Sequence, residues 1–205
     1  MNQNRIIHHN FEMSPEEFEA KKAWPIKGTH DWKGEYASQS PLNQMRLVRD
    51  GHGAEGTQGW LALEGTNSEQ FYAEATPRWY RPRLAFDLRN TRATLYLKAI
   101  TPITMNKGWQ PYLFIDDYCE ADNSYCGWFV HQPLQVGSDW TFNQIDLIND
   151  EKLWTRYSLP VNRSLDTVLS TVGFIGVMHF SYTNYKGVNA TGILGIDEFR
   201  YNMPR

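Results

Sequence analysis

Cysteine is nearly missing from this chain of 205 residues, which carries only Cys119 and Cys126. Separated by Glu-Ala-Asp-Asn-Ser-Tyr, the two either staple a hairpin tip in an oxidising compartment or stand as free thiols in a reducing one, and a two-cysteine metal site lacks its partners. Long apolar runs are missing too. None approaches the roughly 20 residues of a membrane helix, so no membrane insertion is expected. Met1-Asn-Gln-Asn-Arg5 does not lead into the apolar stretch of a secretory signal. The protein is then either made without export, cytoplasmic or in a virion, or it is extracellular or surface-associated after removal of a leader. Charge of one sign is not concentrated anywhere: 20 Lys and Arg stand against 23 Asp and Glu for a net charge of -3. Without a basic block there is no surface to track phosphates, which excludes nucleic acid as a partner. Gly-x-Ser-x-Gly, His-Glu-x-x-His, Walker and Gly-x-Gly-x-x-Gly motifs are all absent, so no familiar catalytic or nucleotide site is written in the sequence.

What the chain has is aromatic side chains, with 8 Trp and 11 Tyr, and strand-like runs bounded by turn residues. The runs are Arg83 to Leu88, Thr94 to Ile100, Pro111 to Tyr118, Gly127 to Gln132, Trp140 to Leu147, Gly173 to Tyr182 and Gly192 to Tyr201. Seven short strands with almost no helix imply an all-β protein, a two-sheet antiparallel sandwich or a barrel. The length suits one domain, residues 1–205. Residues 13 to 23 read as a short N-terminal helix and the only one of note: Ser14 is the N-cap, Pro15 sits in the first turn, and Glu17 has capping-box spacing. Asp31 to Gly59 reads as turns, with Asp50-Gly-His-Gly-Ala-Glu-Gly-Thr-Gln-Gly59 as a turn or ion loop. Residues 149 to 170 read as a long connection with a helical turn at Ser164 to Leu169.

Period-two alternation assigns faces. Leu95, Leu97 and Ala99 face the core and turn Tyr96 and Lys98 outward. Leu113 and Ile115 face inward, leaving Tyr112, Phe114 and Asp116 on the other side. In the run from Gly173, Phe174 and Met178 oppose Ile175, Val177 and His179, and either face could be the core.

The two ends of the chain carry a more specific signal. Asn10-Phe11-Glu12 with Trp24 at one end, and Ile196-Asp197-Glu198-Phe199 at the other, resemble the opening and closing strands of the calcium-containing jelly-roll β-sandwiches of carbohydrate-binding modules, the galactose-binding-like type. Asp50-Gly-His-Gly-Ala-Glu-Gly is similar to the glycine-rich loop of that family, and Val136-Gly-Ser-Asp-Trp140 to a turn that precedes a late strand. The helical insertion at 14–23 and the connection at 149–170 depart from the pattern. The resemblance implies a jelly roll with a short N-terminal helix, neighbouring first and last strands, and a structural Ca2+ held by Glu12, Asp50 and Asp197 with carbonyls of the 50–55 loop.

The function implied is non-catalytic, lectin-like recognition of a glycan. A sugar needs flat aromatic faces ringed by polar groups that re-pair its hydroxyls. Trp109, Tyr112, Asp116, Tyr125, Trp128 and His131 form the candidate set, with His179 and Tyr182 next. Two other classes stand beside it: a structural or attachment protein of a virion or large assembly, and a polysaccharide-acting hydrolase or lyase. The second is disfavoured because Asp116/Asp117 and Asp197/Glu198 are adjacent residues that point to opposite strand faces.

Overall fold

Alternating apolar residues along extended segments need a second sheet to bury them, and the chain supplies two. A computed structural model describes residues 6–25, 32–33, 36–37, 43–68, 72–75, 86–104, 110–119, 124–157, 162–180 and 190–205. The first sheet contains β1 (Ile7–His9), β5 (Asn43–Arg49), β6 (Gly59–Ser68), β8 (Thr91–Ala99), β11 (Thr141–Leu147) and β14 (Ala190–Pro204). Its order is β11-β8-β14-β6-β5, with β1 paired to the later part of β14. The second sheet contains β2 (Lys22–Pro25), β3 (Trp32–Lys33), β4 (Tyr36–Ala37), β7 (Tyr72–Ala75), β9 (Gln110–Cys119), β10 (Ser124–Pro133), β12 (Trp154–Arg156) and β13 (Phe174–Phe180). It runs β12-β10-β9-β13-β7-β4-β2-β3 and is antiparallel throughout except between β2 and β4. The fold is the expected all-β sandwich, with the first and last strands adjacent.

The core lies between the sheets. Leu63, Leu95, Leu97, Ile145, Leu147 and Leu194 from one sheet meet Leu113, Ile115, Val130, Ile175 and Val177 from the other. Each such side chain contributes about 1.5–3 kcal/mol through removal from water. The alternation assigned from sequence holds for β8 and β9, and β13 resolves in favour of Ile175 and Val177 as its core residues.

Helix α1 (Pro15–Lys21) begins where its capping chemistry places it: the Ser14 hydroxyl accepts the Glu17 backbone N–H at 3.1 Å. Phe18 on its inner face is 1% exposed and joins the core. Inside the long connection lie β12 and a second short helix, α2 (Leu165–Ser170), capped by Ser164.

Two expectations change, and one open alternative is decided for Cys126. The glycine-poor part of the Asp31–Gly59 stretch is a strand, β5, paired with β6 along its length. The expected strand at Arg83 to Leu88 has only a bridge between Phe86 and Val172 in its described part, after which Arg89 and Asn90 turn the chain. Cys126 is a free, buried thiol that donates to the Arg163 carbonyl at 3.5 Å, so the hairpin is not stapled through it. The hairpin is closed by the β9–β10 ladder itself, in which Cys126 faces Asp117 and Cys119 faces Ser124.

Candidate functional site

The ladder register decides which residues share the outer face of the second sheet. Phe114 stands opposite Phe129 on β10 and Gly176 on β13, Tyr112 opposite Met178, and Asp116 opposite Gly127 and Phe174. Because side chains alternate, this face collects everything that the core positions of β9, β10 and β13 leave over. Tyr112, Phe114 and Phe129 form a second apolar cluster, separate from the inter-sheet core, with Tyr157 and Met178 packed against it. The Tyr112 and Phe129 rings lie 5.1 Å apart, and Tyr157 meets Phe114 edge-on at 6.2 Å. The three floor residues are at most 2% exposed, whereas Tyr157 and Met178 keep some surface.

Asp116 is set into this aromatic face. Its Oδ2 accepts the Tyr157 hydroxyl at 2.7 Å, and its Oδ1 is buried with no hydrogen-bond partner. Burial pushes the carboxyl up to about 7; the Tyr157 hydrogen bond pulls the other way, and the Asp117 charge adds to the rise. Glycine at 127 is required here, because a Cβ would overlap both Asp116 Oδ1 and the Tyr157 ring. Tyr157 is also held by its backbone N–H, which donates to the Gly127 carbonyl at 3.0 Å. The result is a carboxyl group with one oxygen tied and one open, walled by aromatic carbon.

The other residues expected at the site scatter. His131 lies just beyond Phe129, its ring 2.8 Å from the hydroxyl of Thr155, which itself stands opposite Phe129. Trp128 points to the other face of β10, 7% exposed and part of the inter-sheet core, in register with the core residue Ile115. Tyr125 stands opposite Tyr118 and His179 opposite Pro111 in the backbone ladders, but their side chains lie outside the described residues. Trp109 and Tyr182 lie outside the described residues altogether. Phe129, Gly127 and Tyr157 were not anticipated. Phe129 could have been found by folding β9 onto β10 in register; Tyr157 sits in an irregular connection where no periodicity marks it.

Glu12 and Asp197 tie the two chain ends to the segment from Gly53 to Gly59, and Asp50 bonds within the loop that precedes it. Asp197 lies on β14, an interior strand, opposite Tyr96 and therefore on the face away from the core. It is nonetheless 0% exposed, because the Gly53–Thr57 turn lies over it. Its Oδ2 accepts Ala54 N–H at 2.8 Å and the Thr57 hydroxyl at 2.6 Å, and its Oδ1 accepts the Glu198 N–H at 2.8 Å. A Cβ at residue 53 would overlap Thr57 Oγ1, so only glycine lets the turn close on the carboxylate. Burial raises Asp197 to about 6 against these three hydrogen bonds.

Glu12 Oε1 accepts N–H groups of Gln58 and Gly59, with Arg49 3.6 Å from Oε2. Asp50 Oδ1 accepts His52 N–H and Trp60 Nε1–H. Calcium takes six to eight oxygen ligands. These carboxylates are turned to N–H and O–H donors instead, and among the described residues no three His, Cys, Asp or Glu gather as a metal ion needs. As built, the clamp is a hydrogen-bond network in which each of these carboxylates accepts N–H or O–H donors.

No protein-family model matches the sequence, and no curated protein is significantly similar to it. Solved structures do match. The chain is similar to a family 11 carbohydrate-binding module from Clostridium thermocellum in complex with a β-1,3-1,4-mixed-linked tetrasaccharide, at TM-score 0.52 and 13% identity, over 89% of this chain and 95% of that one. It is similar to the CBM22-1 xylan-binding domain of Paenibacillus barcinonensis Xyn10C at TM-score 0.51 and 12% identity, over 98% and 95%. An exo-β-agarase matches at TM-score 0.54 and 10% identity, over 98% of this chain but 25% of the enzyme. At these identities the likeness is one of fold: the chain has the β-sandwich fold of carbohydrate-binding modules.

Proposed function

We propose that the protein binds an oligo- or polysaccharide, without catalysis, on the outer face of the second sheet. One observation carries this reading: on a fold shared with proteins named for binding glycans, that face gathers Tyr112, Phe114, Phe129 and Tyr157 around a carboxyl group with an unpaired oxygen. Tyr157, which keeps some surface above the buried floor of Tyr112, Phe114 and Phe129, offers aromatic carbon to the apolar side of a pyranose, and a buried polar atom is costly until a hydroxyl pairs with it. Hydrolysis finds no support in the neighbouring carboxylates, since Asp116 faces Gly127 while Asp117 faces Cys126 on the other side of the strand. Tyr112 and His131 belong to the proposed site; Trp109, Tyr125, His179 and Tyr182 remain ligand-binding candidates on the strength of the sequence alone.

Affinity electrophoresis against a panel of soluble polysaccharides, including mixed-linkage β-glucan and xylan, tests the reading. Retardation by at least one of them is expected, with no new reducing ends formed during the run. A panel without retardation, combined with self-association in light scattering, would replace glycan binding with an assembly role.

A further inference from the structure

We propose that Asp116 Oδ1 is the anchor of this face, taking a hydroxyl of an uncharged sugar residue, with the Tyr157 ring as the cover that the ligand displaces. The inference rests on the glycan-binding reading and sharpens it to a sugar class and to two residues. Among the described residues only two buried side-chain atoms lack a hydrogen-bond partner, Asp116 Oδ1 and Trp128 Nε1, and only Asp116 is on the outer face. An unpaired buried acceptor is costly, and a fold tolerates that where a ligand later supplies the partner. Two features leave the oxygen unpaired yet covered. Tyr157 donates only to Oδ2, and the missing side chain at Gly127 is what lets the Tyr157 ring close against Oδ1.

The preference for an uncharged sugar follows from what surrounds the carboxyl. On its own strand the nearest charge is Asp117, which is acidic and paired to Arg163 across 3.3 Å on the opposite face. On β10 His131 is engaged with Thr155. Arg156 on β12 stands opposite Trp128, on the core side, and bonds Asn162. The described residues of β13 on this face, Phe174, Gly176 and Met178, carry no charge. Nothing described here would neutralise a uronic acid beside Asp116, and two carboxylates in an aromatic pocket repel strongly.

Tyr157 covers the anchor as well as fixing it. Its ring lies over Gly127 and against Phe114 and Phe129, so the sealed oxygen becomes reachable when that ring swings out. The hydroxyl bond to Asp116 is the catch.

The experiment is titration calorimetry and stopped-flow binding on the full chain, with the neutral polysaccharide that retards it best and with polygalacturonate. Asp116→Ala should weaken neutral-glycan binding at least tenfold while leaving the melting temperature at pH 8 unchanged or higher, because a buried carboxylate has been removed. A merely structural residue would lose affinity and stability together. Wild type should bind polygalacturonate at least tenfold more weakly than the neutral polymer, the gap widening between pH 6 and pH 8; Asp116→Asn should narrow it and remove its pH dependence. Tyr157→Phe should speed association severalfold, since the ring remains but its catch is gone.

If wild type binds glycan and Asp116→Ala binds as tightly, or if polygalacturonate binds as well as the neutral polymer, the anchor is refuted. An unchanged association rate in Tyr157→Phe refutes the cover. A wild type that binds no glycan instead overturns the underlying glycan reading.

Discussion

Asp116 and Asp197 are both buried aspartates on interior strands, both on faces turned away from the main core, and both raised by burial, to about 7 and about 6. Their hydrogen bonds separate them. Asp197 receives three donors on its two oxygens and uses them to close the Gly53–Thr57 turn over the last strand. Asp116 receives one and leaves an oxygen empty. A buried carboxylate whose lone pairs are directed to backbone N–H groups is a structural tie, because removing it orphans each donor. One with an open oxygen ties little and is available for something else. Asp197 is buried whole and Asp116 only at its carboxyl; the count of donors assigns the roles.

The largest effect expected from this contrast is on stability. Asp197→Ala leaves Ala54 N–H, the Thr57 hydroxyl and Glu198 N–H without their acceptor and should cost on the order of 3–5 kcal/mol in urea unfolding. Asp116→Ala should cost nothing at pH 8. Equal losses for the two variants would erase the distinction.

The next effect is on pH dependence. Both groups have folded-state values above the ordinary 3.8, so between pH 4 and pH 7 the native state holds more protons than the unfolded chain. The stability each contributes is fully present below about pH 4 and is lost as the pH rises through about 6 for Asp197 and about 7 for Asp116. Across that window the fall should amount to a few kcal/mol in all. Asp116→Asn should remove the slope from pH 6 to pH 7, where only Asp116 titrates, and about halve it between pH 4 and pH 6, where Asp197 remains. A slope between pH 6 and pH 7 that survives Asp116→Asn would place the titration elsewhere.

The smallest expected effect concerns metal. A clamp made of N–H and O–H donors should keep its melting temperature in chelator to within about a degree, whereas an ion gripping Glu12, Asp50 and Asp197 would stabilise by mass action and its removal would show. A drop of several degrees in chelator, restored by Ca2+, would mean that the carboxylates turn from their N–H donors to an ion.

Much of the fold was legible because its signal is local. Alternation along Thr94–Ile100 and Pro111–Tyr118 states which side chains face in, and Ser14 followed by Glu17 states where the helix starts, since both follow from backbone periodicity and capping. Strand β5 was hidden because it sits between glycine- and proline-rich turns, and its partner β6 is what holds it extended. For the site, Tyr112 and Asp116 could be placed on one face from their own strand. Trp128 went to the other face, although it is as aromatic as its neighbours, in register with the core residue Ile115. Composition therefore could not assign Trp128 its face.

By itself the sequence determined an all-β sandwich, closed by its two ends, with a surplus of aromatic residues and no catalytic motif. Only the tertiary structure decided which aromatics share a floor, because that depends on the register between β9, β10 and β13. It also brought Tyr157 onto Asp116, 41 residues earlier, and gave Asp197 its donors from a turn 140 residues earlier. Such contacts have no signature in local spacing: a hydrogen bond between distant residues is fixed by where two sheets and a turn come to rest, and its partners are chosen by geometry after the chain has folded.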